Sequence, residues 1–299
     1  MAGEPLLLDE TVRRKLDSLG LVARHVRAGV MKGDRRSRKR GVSVEFADYR
    51  NYVPGDDLRR LDWNVYARSE RSVIKLMEDE EDLAVHIIVD ASASMDFPND
   101  IDGAGFNKLL FAKRLAAGLA YVSLGENDRL TISTLNDLDA FGPSRGRQHT
   151  VRMLRYLHGV EGRGETDLDS LLSSYAAKAA RPGLLFLISD LFSASGFATG
   201  LSKLASRGYE IVVVHVLSPD EVEPTVAGDL RLVDSETGNV QEVSLDAGLM
   251  ALYRQRLEQW RSDIRAQCMR RDAVYVAACT DTPWERVVLQ DLRRAGVVR

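Results

Sequence analysis

Val85-His86-Ile87-Ile88-Val89-Asp90-Ala91-Ser92-Ala93-Ser94 is an apolar run that stops at an aspartate and turns small and polar. Such a run reads as a strand buried on both faces. A second run, Leu184-Leu185-Phe186-Leu187-Ile188-Ser189, stops at Asp190. Two strands of this kind place two carboxylates at the carboxyl edge of a parallel sheet, where open α/β sheets hold their ligands. Two aspartates about 4 Å apart repel by roughly 4 kcal/mol at an effective dielectric of 20. A divalent cation between them reverses that sign. Ser92, Ser94 and Thr166 offer hydroxyl oxygens. These suit a hard ion such as Mg²⁺, which takes six oxygens at about 2.0–2.1 Å. Two carboxylates just balance such an ion, so the site can still attract an acidic group from outside. The same residue types also serve as ordinary turn and N-cap residues, and Thr166 could simply cap a helix that begins near Asp167.

Outward from this stretch, strand and helix patterns alternate. Strands are expected at 85–90, 129–135, 184–189, 209–217 and 273–279, and helices at 107–124, 149–159, 167–180, 197–207 and 284–295. This succession predicts an α/β fold with a doubly wound, mainly parallel, Rossmann-like sheet. The segments 230–233 and 240–243 flank Ser235-Glu236-Thr237-Gly238-Asn239, the signature of an inserted β-hairpin. A long helix is expected at about 247–271. Its Leu249, Tyr253, Leu257, Trp260, Ile264 and Cys268 recur every three or four residues and line one core-facing side. Toward the N-terminus, Val12, Leu16, Leu19, Val22 and Val26 predict a helix ending near Gly29. Val42, Val44 and Phe46 alternate as in a half-buried strand, Val53-Pro54-Gly55-Asp56-Asp57 is a turn, and Ser72 to Met77 reads as another strand. The expected organisation is a helix and basic arm at 1–34, a β-rich extension at 35–82 and the α/β domain at 83–299.

Charge is uneven. Residues 13–75 hold 17 Lys or Arg and 8 Asp or Glu, a net of +9, which leaves −12 on the remainder of a chain whose total is −3. The peak is Lys32-Gly33-Asp34-Arg35-Arg36-Ser37-Arg38-Lys39-Arg40, which reads as a solvated arm because no aromatics interleave with it as a stacking platform requires. The acidic run Glu78-Asp79-Glu80-Glu81-Asp82 is expected in an exposed turn before the first core strand. Cys268 and Cys279 have no metal-type spacing, and free thiols in a reducing compartment are the simplest account. The start has no signal-peptide pattern, and no apolar stretch approaches the ~20 residues that span a bilayer. A cytoplasmic protein with no membrane contact is the expectation.

The pattern Asp90-x-Ser92-x-Ser94, a later Thr166 in Gly164-Glu165-Thr166-Asp167-Leu168, and a later Asp190 in Ser189-Asp190-Leu191 resembles the metal-ion-dependent adhesion site of von Willebrand factor A domains. A second segment carries a longer signature: Glu45-Phe46-Ala47-Asp48-Tyr49-Arg50-Asn51-Tyr52-Val53-Pro54-Gly55-Asp56-Asp57-Leu58-Arg59-Arg60-Leu61-Asp62-Trp63, followed by Ala67-Arg68 and Lys75-Leu76-Met77-Glu78. It is similar to the bacterial family called "domain of unknown function 58". The resemblance covers about residues 35–299 and includes the hairpin with Asp234 to Gly238 and the long helix with Tyr253. It implies a von Willebrand factor A-like domain with Mg²⁺ or Mn²⁺ at Asp90, Ser92, Ser94, Thr166 and Asp190. It also implies a MoxR-type AAA+ ATPase as partner, in chaperone-like or complex-assembly work. Within the signature, Asp56, Asp57 and Asp62 lie among Arg50, Arg59, Arg60 and Arg68. An Arg–carboxylate network there would lock the extension in place, with Trp63 burying a large face.

Three functions follow. A non-catalytic adaptor would receive a partner's Glu or Asp on the bound ion. A Mg²⁺-dependent phosphohydrolase would use the ion to polarise a phosphoryl oxygen. The chain lacks a phosphate loop, and Ser92 occupies the position where a second acid–base carboxylate would stand. The five histidines, His25, His86, His149, His158 and His215, form no spaced pair on one helix. Nucleic-acid binding through the basic arm at 24–40 is favoured neither by the fold nor by the remaining charge.

Overall fold

Apolar side chains on both faces make the central strands possible only between two layers of helix. The computed structural model describes residues 7–23, 44–53, 56, 61–79, 83–98, 106–134, 141–178, 181–224, 228–233, 240–245 and 247–299. Its contacts divide the chain into two units, residues 1–31 with 83–299, and residues 32–82.

In chain order the elements are α1 (Glu10–Leu16), β1 (Val44–Asn51), α2 (Trp63–Ser69), β2 (Val73–Asp79), β3 (Ala84–Val89), α3 (Lys108–Gly125), β4 (Arg129–Thr134) and β5 (Phe141–Ser144). There follow α4 (Thr150–His158), α5 (Leu168–Lys178), β6 (Leu184–Ser189), α6 (Ala198–Ser206), β7 (Glu210–Leu217) and the single turn α7 (Pro219–Val222). The chain closes with β8 (Gly228–Val233), β9 (Val240–Leu245), α8 (Ala247–Met269), β10 (Val274–Cys279) and α9 (Trp284–Arg286), which runs into a π-helical turn at Val287–Leu292.

The larger unit is built on a six-stranded sheet of order β10-β7-β6-β3-β4-β5. Its pairings are parallel except for β5, which runs antiparallel along β4. This is a mixed α/β, Rossmann-like architecture. Side chains alternate between the two faces. Val85, Ile87 and Val89 of β3, with Leu184, Phe186 and Ile188 of β6, pack toward Leu115 and Leu119 of α3. Ile88, Leu185 and Leu187 pack the other way, with Leu172 of α5, Leu201 of α6, and Ile264 and Cys268 of α8. β8 and β9 pair antiparallel as a separate two-stranded sheet, with the expected turn at 235–239 outside the described residues.

Three expectations change. The N-terminal helix ends at Leu16, not near Gly29, because the chain turns back to pair with the far end of the molecule. Leu21 bridges Val298, and the Val22 N–H donates to the Val297 carbonyl at 2.8 Å. Leu19 and Leu21 still reach the core, but from an irregular segment. β5 was not anticipated, since Phe141-Gly142-Pro143-Ser144 has none of the usual strand residues beyond Phe141. Edge position lets the proline sit there without losing a ladder bond. Only the Ile264 and Cys268 end of the long helix is fully buried, while Leu249, Tyr253, Leu257 and Trp260 are half-buried.

In the smaller unit, β1 pairs antiparallel with β2, with an irregularity between Phe46 and Asp48. Glu78 and Asp79 belong to β2 instead of a turn, whereas 80–82 lie outside the described residues. Asp62 caps α2 by accepting from the Asn64 and Val65 N–H groups at 2.9 and 3.2 Å. That sets Trp63 at the first helical position, 60% exposed and edge-on to Tyr66, so it does not bury the face expected of it. Of the expected charge network, Arg50 pairs with Asp56 at 2.8 Å, while Asp57, Arg59 and Arg60 lie outside the described residues, as does the basic run at 32–40.

Candidate metal centre

β3 and β6 are adjacent and parallel with Val89 opposite Ile188, so the residues that follow each strand emerge side by side. The Asp90 N–H donates to the Ile188 carbonyl at 2.9 Å and prolongs the ladder by one step. The Asp90 carboxylate accepts from the Ser92 N–H at 2.9 Å through Oδ1 and from the Ser189 hydroxyl at 2.5 Å through Oδ2. Ser92 leads into a single 3-10 turn, Ala93–Met95, which brings the Ser92 and Ser94 hydroxyl oxygens to 3.0 Å.

The loop before α5 lies against this turn. The Arg163 N–H donates to the Ala91 carbonyl at 2.8 Å, and the Ala93 N–H to the Gly164 carbonyl at 3.0 Å. A Cβ on Gly162 would stand 3.0 Å from the Ser92 carbonyl oxygen and 2.8 Å from the Asp96 Cβ, so only glycine permits that approach. Thr166 is thereby carried to the Asp90 loop and buried. Its Oγ1 has no hydrogen-bond partner among the described residues. Helix capping does not use it, because the Asp167 Oδ1 accepts from the Ser170 N–H at 3.0 Å. The Thr166 carbonyl in turn accepts from the Ser193 hydroxyl at 3.0 Å, tying this loop to the one after β6. These bonds gather Asp90, Ser92, Ser94, Thr166 and Asp190 around the carboxyl ends of β3 and β6.

Both aspartates stand at strand ends yet are shut away from solvent. Asp90 is 2% exposed and Asp190 fully buried, because the two flanking loops close over them. Burial, reinforced by the charge of Asp190, pushes the Asp90 carboxyl up to about 6, against the lowering effect of the Ser189 and Ser92 hydrogen bonds. Asp190 is held differently. Its Oδ1 accepts from the Phe192 N–H at 3.1 Å, and its Oδ2 accepts from the Lys108 ammonium at 2.7 Å. Lys108 is the first residue of α3, is fully buried, and also donates to Glu221 Oε1 at 2.5 Å.

Sequence reasoning missed Ser189, Lys108 and Glu221. Ser189 donates to Asp90 and accepts the Leu191 N–H at 2.9 Å, which supports Leu191 at φ 60, a left-handed conformation that a branched side chain rarely adopts. For Lys108 a signal existed: a cation at the first turn of an apolar helix opposes the helix dipole and asks for a carboxylate partner. For Glu221 the signal was Ser218-Pro219-Asp220-Glu221, a capping box with proline at its first helical position. Nothing local reveals that the second oxygen of Glu221 serves Lys108.

The aromatic wall beside the site comes from three elements. Phe192 stacks on Trp260 of α8 with ring centroids 5.0 Å apart, and Trp260 meets His215 of β7 edge-on at 4.9 Å. Burial lowers the His215 pKa to about 4. His86 lies inside β3 with Nδ1 2.7 Å from the Tyr175 hydroxyl and Nε2 3.1 Å from the Arg181 carbonyl, a buried residue with both ring nitrogens satisfied.

Among the described residues, no group of three or more His, Cys, Asp or Glu is placed to hold a metal ion. The candidate set is of another kind, two carboxylates and three hydroxyls. An all-oxygen set with a buried hydroxyl left unpartnered fits a hard divalent ion better than a soft one. Asp90, Ser92 and Ser94 are bonded only to neutral groups, which an ion could displace or share, whereas Asp190 is engaged by the Lys108 cation.

Residues 48–263 match the model of a family described as Protein of unknown function DUF58. Uncharacterized proteins of Mycobacterium bovis and Mycobacterium tuberculosis are each 31% identical over 286 residues, covering 93% of this chain and 84% of theirs. Among solved structures, the conserved hypothetical protein BatB from Bacteroides thetaiotaomicron is 15% identical with a TM-score of 0.43, over 72% of this chain and 98% of its own. An aerotolerance-related membrane protein from Bacteroides fragilis is 17% identical with a TM-score of 0.41, over 71% and 99%. No helix among the described residues of this chain is long and apolar enough to cross a membrane.

Proposed function

The chain belongs to the DUF58 family, and we propose that its larger unit is a von Willebrand factor A-like binding module whose carboxyl-edge site takes Mg²⁺ or Mn²⁺. Asp90, Ser92, Ser94 and Thr166 would hold the ion, with Asp190 as the second carboxylate. The ion would supply an open coordination position for a carboxylate from another protein. The rest is done by the chain's own residues. Ser189 and the Ser92 N–H orient Asp90, Gly162 lets the Thr166 loop approach, and Asp167 relieves Thr166 of capping. The observation that carries this reading is the buried Thr166 hydroxyl, which has no partner among the described residues. Leaving a buried hydroxyl unsatisfied costs about 1–3 kcal/mol, which a ligand at that position would recover. The partner that the sequence resemblance supplies is a MoxR-type AAA+ ATPase, docking through an acidic residue. The protein is then an adaptor and not a catalyst.

Titration of the purified protein against that ATPase, with Mg²⁺ and with chelator, tests the reading. Binding should require the ion, and Thr166→Ala should weaken it while leaving the circular dichroism unchanged. Equal affinity in both conditions would remove the metal from the function.

A further inference from the structure

We propose that Lys108 sets the metal affinity of this site by holding Asp190 back from direct coordination, so that the ion alone is held weakly. The inference rests on the metal reading above and concerns how that site is regulated. A fully buried lysine is unfavourable unless its charge is met. Here it is met twice, by Asp190 at 2.7 Å and by Glu221 at 2.5 Å. Neither carboxylate is loose. The other oxygen of Asp190 accepts from the Phe192 N–H, and the other oxygen of Glu221 accepts from the Ser218 N–H at 2.7 Å. The Tyr253 hydroxyl of α8 donates to the Glu221 carbonyl at 2.5 Å, which fixes the α7 turn as well. The rings of Phe192 and Phe97 lie 5.1 and 6.0 Å from the ammonium and shut it from solvent on that side.

The consequence follows from counting charge. Asp90, Asp190, Glu221 and Lys108 sum to −2, the complement of one divalent ion. Yet Asp190 is already paired with a buried cation, whereas Asp90 accepts only from the neutral Ser92 N–H and Ser189 hydroxyl. An arriving ion therefore finds one carboxylate without a paired cation, Asp90, and the hydroxyls of Ser92, Ser94 and Thr166. A hard ion held by so few charges stays weakly bound until another carboxylate reaches it. Ion and acidic partner then bind cooperatively, each raising the other's affinity by the same factor. Lys108 is thus a positioning residue, acting on the ion through Asp190.

The test is Mn²⁺ binding by electron paramagnetic resonance on the full chain without partner, for the wild type, Lys108→Met and Glu221→Gln. Lys108→Met frees Asp190 and removes a repelling charge, so it should bind Mn²⁺ at least about tenfold more tightly. Its melting temperature in chelator should fall and should recover with Mn²⁺ by more than the wild type gains. Glu221→Gln removes a negative charge and leaves Lys108 wholly to Asp190, so affinity should drop severalfold. General damage to the site would weaken both variants, and the gain in Lys108→Met is what a merely structural lysine would not produce. Should Lys108→Met fold only when Mn²⁺ is present, that dependence supports the proposal. Wild-type binding with no gain in Lys108→Met, or with no loss in Glu221→Gln, overturns the role of Lys108 alone. Absence of Mn²⁺ binding in all three proteins overturns the metal reading with it. Binding by Lys108→Met alone would uphold Lys108 as the group that keeps the ion out and sink the reading of the wild type as a metal-dependent module.

Discussion

Asp90 carries a burden that its position at a strand end did not suggest. Burial, with the charge of Asp190 beside it, pushes its carboxyl up to about 6, so its ionised form destabilises the metal-free fold at neutral pH. Asp90→Asn should therefore raise stability in chelator at pH 7.5, by up to about 3 kcal/mol in urea unfolding, and abolish stabilisation by Mn²⁺. A loss of stability instead would mean that the hydrogen bonds to Ser189 and Ser92 outweigh the burial. His86 has the opposite linkage. Burial lowers its pKa to about 4, below the ordinary 6.5, so the unfolded chain takes up the proton first. The stability this contributes is complete above pH 6.5 and is lost as pH falls toward 4. Between pH 7.5 and 5 the loss from His86 is about 2 kcal/mol. His86→Gln keeps hydrogen-bonding capacity without the titration, and its unfolding energy should fall less than the wild type's over that interval. Identical pH slopes would contradict this. The five oxygen-bearing residues of the proposed site are picked out by residue type and spacing. The residues around them are not, because Lys108 meets Asp190 and Glu221 from 82 and 113 positions away in the chain.

At the scale of elements, the strands were read from apolar runs and the helices from three-to-four-residue periods, and both signals are strong where burial is complete. α3 is the case where periodicity says least, since nearly every residue from Leu109 to Leu124 is buried. Its packing depends on a small residue. A Cβ on Gly118 would stand 2.5 Å from the Cζ3 of Trp284, a side chain just 7% exposed. Gly118→Ala gains up to about 1 kcal/mol of helix propensity. The overpacking costs about 1–3 kcal/mol. The net expectation is a modest loss of stability in denaturant titration, reversed in the double variant Gly118→Ala, Trp284→Leu. Stabilisation by the single substitution would show that Trp284 moves aside freely.

For the whole molecule, the N-terminal segment belongs with the α/β unit, although it precedes the family signature in the chain. Leu8, Val12, Leu16, Leu19 and Leu21 lie in the same core as α3 and the last helix. The Arg299 N–H donates to the Gly20 carbonyl at 3.0 Å, next to the bridge between Leu21 and Val298. Removing residues 1–23 would expose the surface those leucines cover, at about 1.5–3 kcal/mol for each large side chain before the ordering entropy is returned. The truncated chain should melt many degrees lower or fail to fold, and an unchanged melting temperature would show the segment to be an ornament. What the amino-acid order determined by itself is local: which runs are strands, which stripes are helical, and which hydroxyls and carboxylates end them. Tertiary structure alone decided that Asp90 is buried, that Lys108 answers Asp190 and Glu221, that Trp63 faces solvent, and that the two ends of the larger unit pair. The physical reason is that burial and charge pairing are properties of segments brought together by the sheet, whereas periodicity and capping are carried by neighbours in the chain.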